Sequence, residues 1–220
     1  MITEALIRSL IAIVVAYLLG SIPCGLWLGK IFYHVDIREY GSGRTGATNV
    51  LRTCGKVAFV LSIIGDFGKA YLAVVLSTLI LQDNVFTMGS LTINDNAIRV
   101  MAGIAAIVGH TWPIFANFRG GRGVSSFMGG LTALCPWAAI FAVAALIVVV
   151  SATKYMSLGS MVAVVGAYVV MIPLTLFAGY PAEDMAFVLV GTILVLLDHS
   201  DNIVRLVKGT ERKVGQKEKI

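Results

Sequence analysis

The chain has 220 residues, of which 58% are hydrophobic and 13% are charged, and its mean hydropathy is +0.88. Soluble domains are about half apolar and about a quarter charged, so this composition excludes a water-soluble protein and indicates an integral membrane protein. The net charge of +5 indicates contact with anionic membrane lipid rather than with nucleic acid.

Long apolar runs predict an all-α protein with about seven transmembrane helices, since one span needs about 20 apolar residues. The predicted helices cover residues 6–29, 57–81, 97–112, 124–134, 136–150, 158–178 and 182–197. The fourth apolar block is divided in two because it is too long for one straight span and Pro136 interrupts it. No linker or repeat is visible, so residues 1–220 are expected to form one domain. The three scattered cysteines have no metal-ligand spacing, and neither a metal nor a cofactor is expected.

The distribution of basic residues predicts the orientation. With seven helices and the N-terminus outside, fourteen of the 17 lysines and arginines lie on the cytoplasmic side, together with the C-terminus. An excess of lysine and arginine in cytoplasmic loops is the general rule for membrane proteins. Three polar stretches then share the cytoplasmic face: residues 41–52, 109–126 and 199–213.

The first stretch, GSGRTGATNVLR at residues 41–52, has the residue types of an anion site. Glycine allows consecutive backbone N–H groups to converge on an anion, and arginine can hold a phosphate with two parallel hydrogen bonds. The candidates are Gly41, Ser42, Gly43, Arg44, Gly46, Thr48, Asn49 and Arg52. The stretch lacks the lysine and hydroxyl residue of a P-loop. A flexible connector with polar caps is the alternative interpretation.

The second stretch, GHTWPIFANFRGGRGVSS at residues 109–126, repeats this chemistry before a predicted helix. The glycines and arginines are Arg119, Gly120, Gly121, Arg122 and Gly123, and the helix is expected to begin at Val124. A helix N-terminus, backbone N–H groups and arginine together favour an anion. His110 is either a structural hydrogen-bonding residue or a catalytic one.

The third stretch places His199 directly after the last predicted helix and Asn202 three residues later, on the same helix face. A histidine at this position is either an interface residue or part of a site. The segment that follows is amphipathic, and the terminal lysines, Lys217 and Lys219, are expected to contact lipid headgroups.

Two further features lie within or beside the predicted spans. Asp66 and Lys69, at positions i and i+3 of the second span, can pair inside the membrane, either as a structural ion pair or as functional groups. Ser157 follows Lys154 at the start of the sixth helix, where it is either an N-cap or a hydroxyl donor to the same site.

Together, the three stretches resemble the motifs of the bacterial acyl-phosphate:glycerol-3-phosphate acyltransferase family, the PlsY type. GSGRTGATNVLR is similar to its first motif, GHTWPIFANFRGGRGVSS to its second, and HSDNIVRLVKGTE to its third, and GDFGK and SLGS also fit. The resemblance implies a seven-helix plasma-membrane enzyme whose active site lies on the cytoplasmic face. Its substrates would be acyl phosphate and glycerol 3-phosphate, and its products lysophosphatidate and phosphate.

The resemblance also implies roles for individual residues. Catalytic candidates are Ser42, Arg52, Arg122, Ser157, His199 and Asn202; substrate-binding candidates are Gly41, Gly43, Thr48, Asn49, Gly120, Gly121, Gly123 and Val124. His110 is expected to hold the second stretch in shape, and Asp66, Lys69 and Arg44 are structural candidates, with Arg44 also a candidate to compensate in part for the arginine missing at position 200.

The chain departs from the family pattern at three places. Arg122 stands where the family usually has lysine, Arg44 and Thr45 where it has Asn-Pro, and Ser200 where it has arginine. These departures leave open a divergent paralogue with altered substrates or no activity. A transporter of a phosphorylated solute is a weaker alternative, because no inverted repeat is visible.

Overall fold

The computed structural model describes residues 2–81, 86–88 and 91–216; Lys217 and Lys219, predicted to contact headgroups, lie outside this part. The helices are α1 (Ile2–Gly20), α2 (Cys24–Phe32), α3 (Ala47–Thr53), α4 (Lys56–Leu81), α5 (Asp95–Thr111), α6 (Val124–Leu134), α7 (Pro136–Thr153), α8 (Met156–Phe177), α9 (Ala182–Asp198) and α10 (Ser200–Val207). Strands β1 (Phe86–Met88) and β2 (Leu91–Ile93) pair antiparallel. The predicted helices do not include these two three-residue strands.

The predicted helices are present, except that the first, residues 6–29, is divided into α1 and α2 by non-helical residues 21–23, where Pro23 precedes α2. Length and hydropathy support fewer than seven spans. Within the described residues, five segments are long and apolar enough to cross a membrane: Thr3–Phe32, Lys56–Leu81, Asp95–Ala116, Pro136–Thr153 and Met156–Phe177. Helices α9 and α10, bent by 58° relative to each other, make a sixth if the pair is counted as one span. Helix α6 has 11 residues and is therefore only about 16 Å long, against a hydrocarbon core of about 30 Å.

The fourth apolar block is divided where the sequence predicts. Helix α6 ends at Leu134, and α7 begins at Pro136 after a non-helical Cys135. Proline is favoured in the first turn because its missing N–H has no helical partner there and its fixed φ already matches a helix. The break between α6 and α7 is confirmed.

Glycines allow the helices to approach one another closely. A Cβ atom on Gly109 of α5 would collide with Tyr17 O of α1, and one on Gly129 of α6 with Phe67 O of α4. Transmembrane helices associate by such close packing, because lipid supplies little hydrophobic driving force between them. The contacts bring α1, α4, α5 and α6 together and place the ends that carry the three polar stretches side by side.

Candidate active site

The first stretch is wrapped around one buried amide, that of Asn49. Its Nδ2 donates to the carbonyl oxygens of Ile37, Tyr40 and Arg44 at 2.7, 3.2 and 3.0 Å. Its Oδ1 accepts from the backbone N–H of Ser42 at 3.0 Å. These bonds hold the loop in a single shape, so the role that the structure gives Asn49 is positioning. Direct contact between Asn49 and a substrate stays a prediction.

The second stretch packs on the first and on the end of α5. Gly121 donates its N–H to His110 O, and Gly120 O accepts from Thr45 N at 3.2 Å. A Cβ on Gly120 would collide with His110 O, and one on Gly121 with the His110 ring. These glycines are therefore needed for the second stretch to pack closely on the end of α5.

A buried charged cluster supports this packing from below the loops. Lys69 Nζ donates to Asp66 Oδ1 at 2.8 Å and to Ile22 O at 2.7 Å, and it lies 3.0 Å from His110 Nδ1. Lysine has three N–H donors, of which Asp66 and Ile22 accept two, and His110 Nδ1 lies within hydrogen-bond distance of the same nitrogen. The predicted Asp66–Lys69 pair is confirmed. The cluster ties α4 to α5 and to Ile22, which follows α1. It holds the side chain of His110, whose carbonyl oxygen in turn binds Gly121 of the second stretch.

The third stretch is organised by Glu211, which the sequence interpretation did not single out. Glu211 Oε1 accepts from Ser157 Oγ at 2.8 Å and from Asn202 Nδ2 at 2.7 Å, and Oε2 accepts from Arg205 Nε at 2.8 Å. Burial raises the pKa of this carboxyl, but the three hydrogen bonds outweigh burial and leave the pKa below its usual value. The sequence feature that could have identified Glu211 as a site residue is its position at the end of the third motif, HSDNIVRLVKGTE. Nearby, His199 Nδ1 lies 2.7 Å from Val195 O.

Arg122 joins the second stretch to the third. Its Nη2 donates to Asp201 Oδ2 at 2.9 Å, and the same oxygen accepts from Arg205 Nη1 at 2.9 Å. Its Nη1 is buried and has no hydrogen-bond partner among the described residues. Burial lowers the pKa of Arg122, while Asp201 opposes the shift, and a guanidinium stays charged in proteins. A buried cationic donor without an acceptor is suited to an anionic ligand.

These elements enclose a cavity of about 430 Å³. Its apolar wall comes from α4, α6, α7 and α8 and includes Phe59, Ile63, Phe67, Met128, Val143, Leu146 and Met156. Its basic groups are Arg44, Arg52, Arg122, Arg205 and Arg212. The acidic groups of the lining, Asp66, Asp201 and Glu211, each pair with a cation. The cavity therefore combines an apolar wall with groups that attract anions.

Most of the residues selected from the sequence meet in this cavity. The lining includes Gly41, Ser42, Arg44, Thr48, Asn49, Arg52, Asp66, His110, Arg122, Val124, Ser157, His199 and Asn202. Gly43, Gly120, Gly121, Gly123 and Lys69 are not part of it. The glycines of the second stretch are turned toward His110 and Ile107, whose atoms occupy the space beside their Cα atoms. A phosphate cradle formed by these glycines stays a prediction.

Comparison with known proteins agrees with this assembly of motifs. A sequence model of the family described as glycerol-3-phosphate acyltransferase matches residues 10–209 of the chain. The chain belongs to this family. The resemblance inferred from the three stretches is confirmed, and the protein is an acyltransferase.

Relatives of the acyltransferase cover nearly its full length. It is 46% identical over 213 residues to glycerol-3-phosphate acyltransferase 3 of Dehalococcoides mccartyi, an alignment covering 96% of this chain and 97% of the relative. It is 38% identical to the glycerol-3-phosphate acyltransferase of Trichodesmium erythraeum, with 96% and 94% covered.

Among solved structures, the acyltransferase is similar to the crystal structure of PlsY, an integral membrane glycerol 3-phosphate acyltransferase, in its glycerol 3-phosphate form. The TM-score is 0.81 and the identity 32%, with 94% of this chain and 96% of that chain covered. The lysophosphatidic acid form of PlsY matches with a TM-score of 0.79 and 31% identity.

Proposed function

We propose that this acyltransferase transfers a fatty acyl group from an acyl phosphate to the 1-hydroxyl of glycerol 3-phosphate. The observation that carries the proposal is the cavity of about 430 Å³, which joins an apolar wall to basic side chains from all three stretches. A fatty acyl phosphate has an apolar chain and an anionic end, and the acceptor is a second phosphate. One cavity with both kinds of lining suits this pair of substrates.

The chemistry needs positioning more than a strong base. The hydroxyl oxygen of glycerol 3-phosphate bonds to the acyl carbon, the bond from that carbon to the phosphate oxygen breaks, and inorganic phosphate leaves. The hydroxyl proton passes to a phosphate oxygen. Because an acyl phosphate is already an activated anhydride, aligning the two substrates and stabilising the oxyanion supply most of the acceleration.

The residues of the cavity have distinct roles in this scheme. Arg52 and Arg122 bind phosphate, and the unpartnered Nη1 of Arg122 is the donor best suited to that task. Ser42 and Thr48 add hydroxyl donors from the first stretch. Ser157, His199 and Asn202 complete the opposite wall, and Glu211 fixes two of them through its hydrogen bonds.

The proposal includes an orientation in the plasma membrane. We place the N-terminus outside, and the C-terminus and the cavity on the cytoplasmic side, with seven membrane-embedded helices of which α6 is too short to cross alone. The basic loops around the cavity support this orientation, because lysine and arginine accumulate on the cytoplasmic side of membrane proteins.

The test is turnover by the purified full chain with palmitoyl phosphate and glycerol 3-phosphate, without coenzyme A. Lysophosphatidate should form together with an equal amount of phosphate, and Arg52→Ala should abolish both. Arg119→Ala removes the same charge from a loop residue outside this cavity and should turn over normally. A folded wild-type protein that makes no product would refute the proposal, and uptake of glycerol 3-phosphate into vesicles would then favour a transporter.

A further inference from the structure

The backbone around Arg44 is fixed on both sides. Its carbonyl accepts from Asn49 Nδ2 at 3.0 Å, and the next residue, Thr45, donates its N–H to Gly120 O at 3.2 Å. Asn49 and Thr45 are both buried. The side chain of Arg44 therefore extends from a rigid point in the wall of the cavity, which it helps to line.

The end of this side chain is held by the last residue of α9, Asp198. Arg44 Nη1 lies 3.4 Å from Asp198 Oδ1, and the two side chains are 37% and 11% exposed. A strong charge-assisted hydrogen bond is about 2.7–2.9 Å long, and a guanidinium carries five N–H donors. The contact with Asp198 therefore orients Arg44 but leaves it with donors for another acceptor. Asp198 does not itself line the cavity.

Two other arginines of the cavity, Arg122 and Arg205, are held more tightly than Arg44. Arg122 lies 2.9 Å from Asp201, and Arg205 pairs with both Asp201 and Glu211, at 2.9 and 2.8 Å. Arg44, with one long ion pair, is the one of these three that can most readily turn toward an arriving anion. An arginine with spare donors in the wall of this cavity is suited to bidentate binding of a phosphate.

We propose that Arg44 is a further phosphate ligand, which binds the phosphate of one of the two substrates, and that Asp198 is a positioning residue that holds its guanidinium at the cavity. The identity of the phosphate rests on the proposed function, whereas the binding of a phosphate anion does not. Arg44 would then determine affinity for one substrate, and the acyl transfer step would depend little on it.

The kinetic test compares Arg44→Ala with Arg119→Ala, which removes the same charge from a residue outside this cavity. Arg44→Ala should raise the KM for one substrate about tenfold, the lower end of the range for a lost hydrogen bond to a charged group, because Arg44 is partly exposed. The other KM and kcat should change less than about twofold, and Arg44→Lys should lie between. A rise in both KM values, or in neither, would overturn the assignment.

The role of Asp198 is tested in the same assay. Asp198→Asn should raise the same KM about threefold, because the guanidinium of Arg44 regains rotamers that the ion pair excludes. In the Arg44→Ala background, Asp198→Asn should leave that KM unchanged. A lower KM in Asp198→Asn, or an equal effect in both backgrounds, would show that Asp198 does not act by positioning Arg44.

Binding measured without turnover separates this inference from the proposed function. Calorimetric titration of the full chain in detergent with glycerol 3-phosphate and with inorganic phosphate should show about tenfold weaker binding of at least one of them by Arg44→Ala. If the wild type makes no lysophosphatidate but Arg44→Ala still weakens binding, the inference stands and the function fails. If the wild type turns over and Arg44→Ala changes neither KM nor phosphate binding, the inference alone fails.

Discussion

The carboxylate of Glu211 offers the sharpest test of how the third stretch is held together. Its two oxygens accept three hydrogen bonds, from Ser157, Asn202 and Arg205, and its side chain is 5% exposed. Glu211→Gln keeps the size of the side chain but replaces one acceptor oxygen with an NH₂ donor. In either orientation of the amide, at least one donor loses its acceptor, and the ionic contribution of the carboxylate disappears.

The expected loss follows from these contacts. A hydrogen bond to a charged group contributes about 1.5–3 kcal/mol, and a buried donor left without an acceptor costs about 1–3 kcal/mol. Arg205 is 35% exposed, so water partly replaces the lost partner, and we expect a total of about 2–3 kcal/mol. If the whole of this free energy is lost from the positioning of Ser157 and Asn202 in the transition state, kcat/KM falls by about 30- to 150-fold.

Two measurements and one control check this expectation. Thermal unfolding in detergent should show a lower midpoint for Glu211→Gln, and the acyl phosphate assay should show the loss in kcat/KM. Glu39→Gln makes the same chemical change at an exposed residue outside the cavity and should stay within about 0.5 kcal/mol of the wild type. A Glu211→Gln protein with wild-type midpoint and wild-type kcat/KM would refute the reasoning.

Three other predictions follow from the site. The pKa of Glu211 is below its ordinary value of 4.5, so its stabilisation is present above that pH and is lost as the pH falls through the folded-state pKa. The difference in unfolding midpoint between the wild type and Glu211→Gln should therefore close with acidification, and a constant difference would contradict this account. Gly121→Ala places a Cβ against the buried ring of His110 and should destabilise by about 1–3 kcal/mol, whereas Gly68→Ala, which meets open space, should not; equal unfolding midpoints would exclude the clash. Arg122→Ala should reduce kcat/KM at least tenfold, since it removes a buried cationic donor, and full activity in steady-state kinetics would remove Arg122 from the phosphate site.

Much of the architecture follows from local sequence. Membrane helices could be predicted because a long apolar run has one stable state in lipid, a helix whose backbone groups are paired within the segment. The break before Pro136 and the pairing of Asp66 with Lys69 could also be predicted, because each depends on residues only a few positions apart. The three polar stretches could be assigned to one end of the bundle from charge alone.

Contacts between residues distant in the chain could not be read in this way. Ser157 and Glu211 are 54 positions apart, and Arg44 and Asp198 are 154 apart. Neither pair has a local pattern, because the first joins α8 to the segment after α10 and the second joins the first stretch to the end of α9. The glycines of the second stretch look like a phosphate cradle in sequence, yet their missing side chains make room for His110. Which groups remain available to a substrate depends on how the neighbouring helices approach, and that approach is set by packing across the whole bundle.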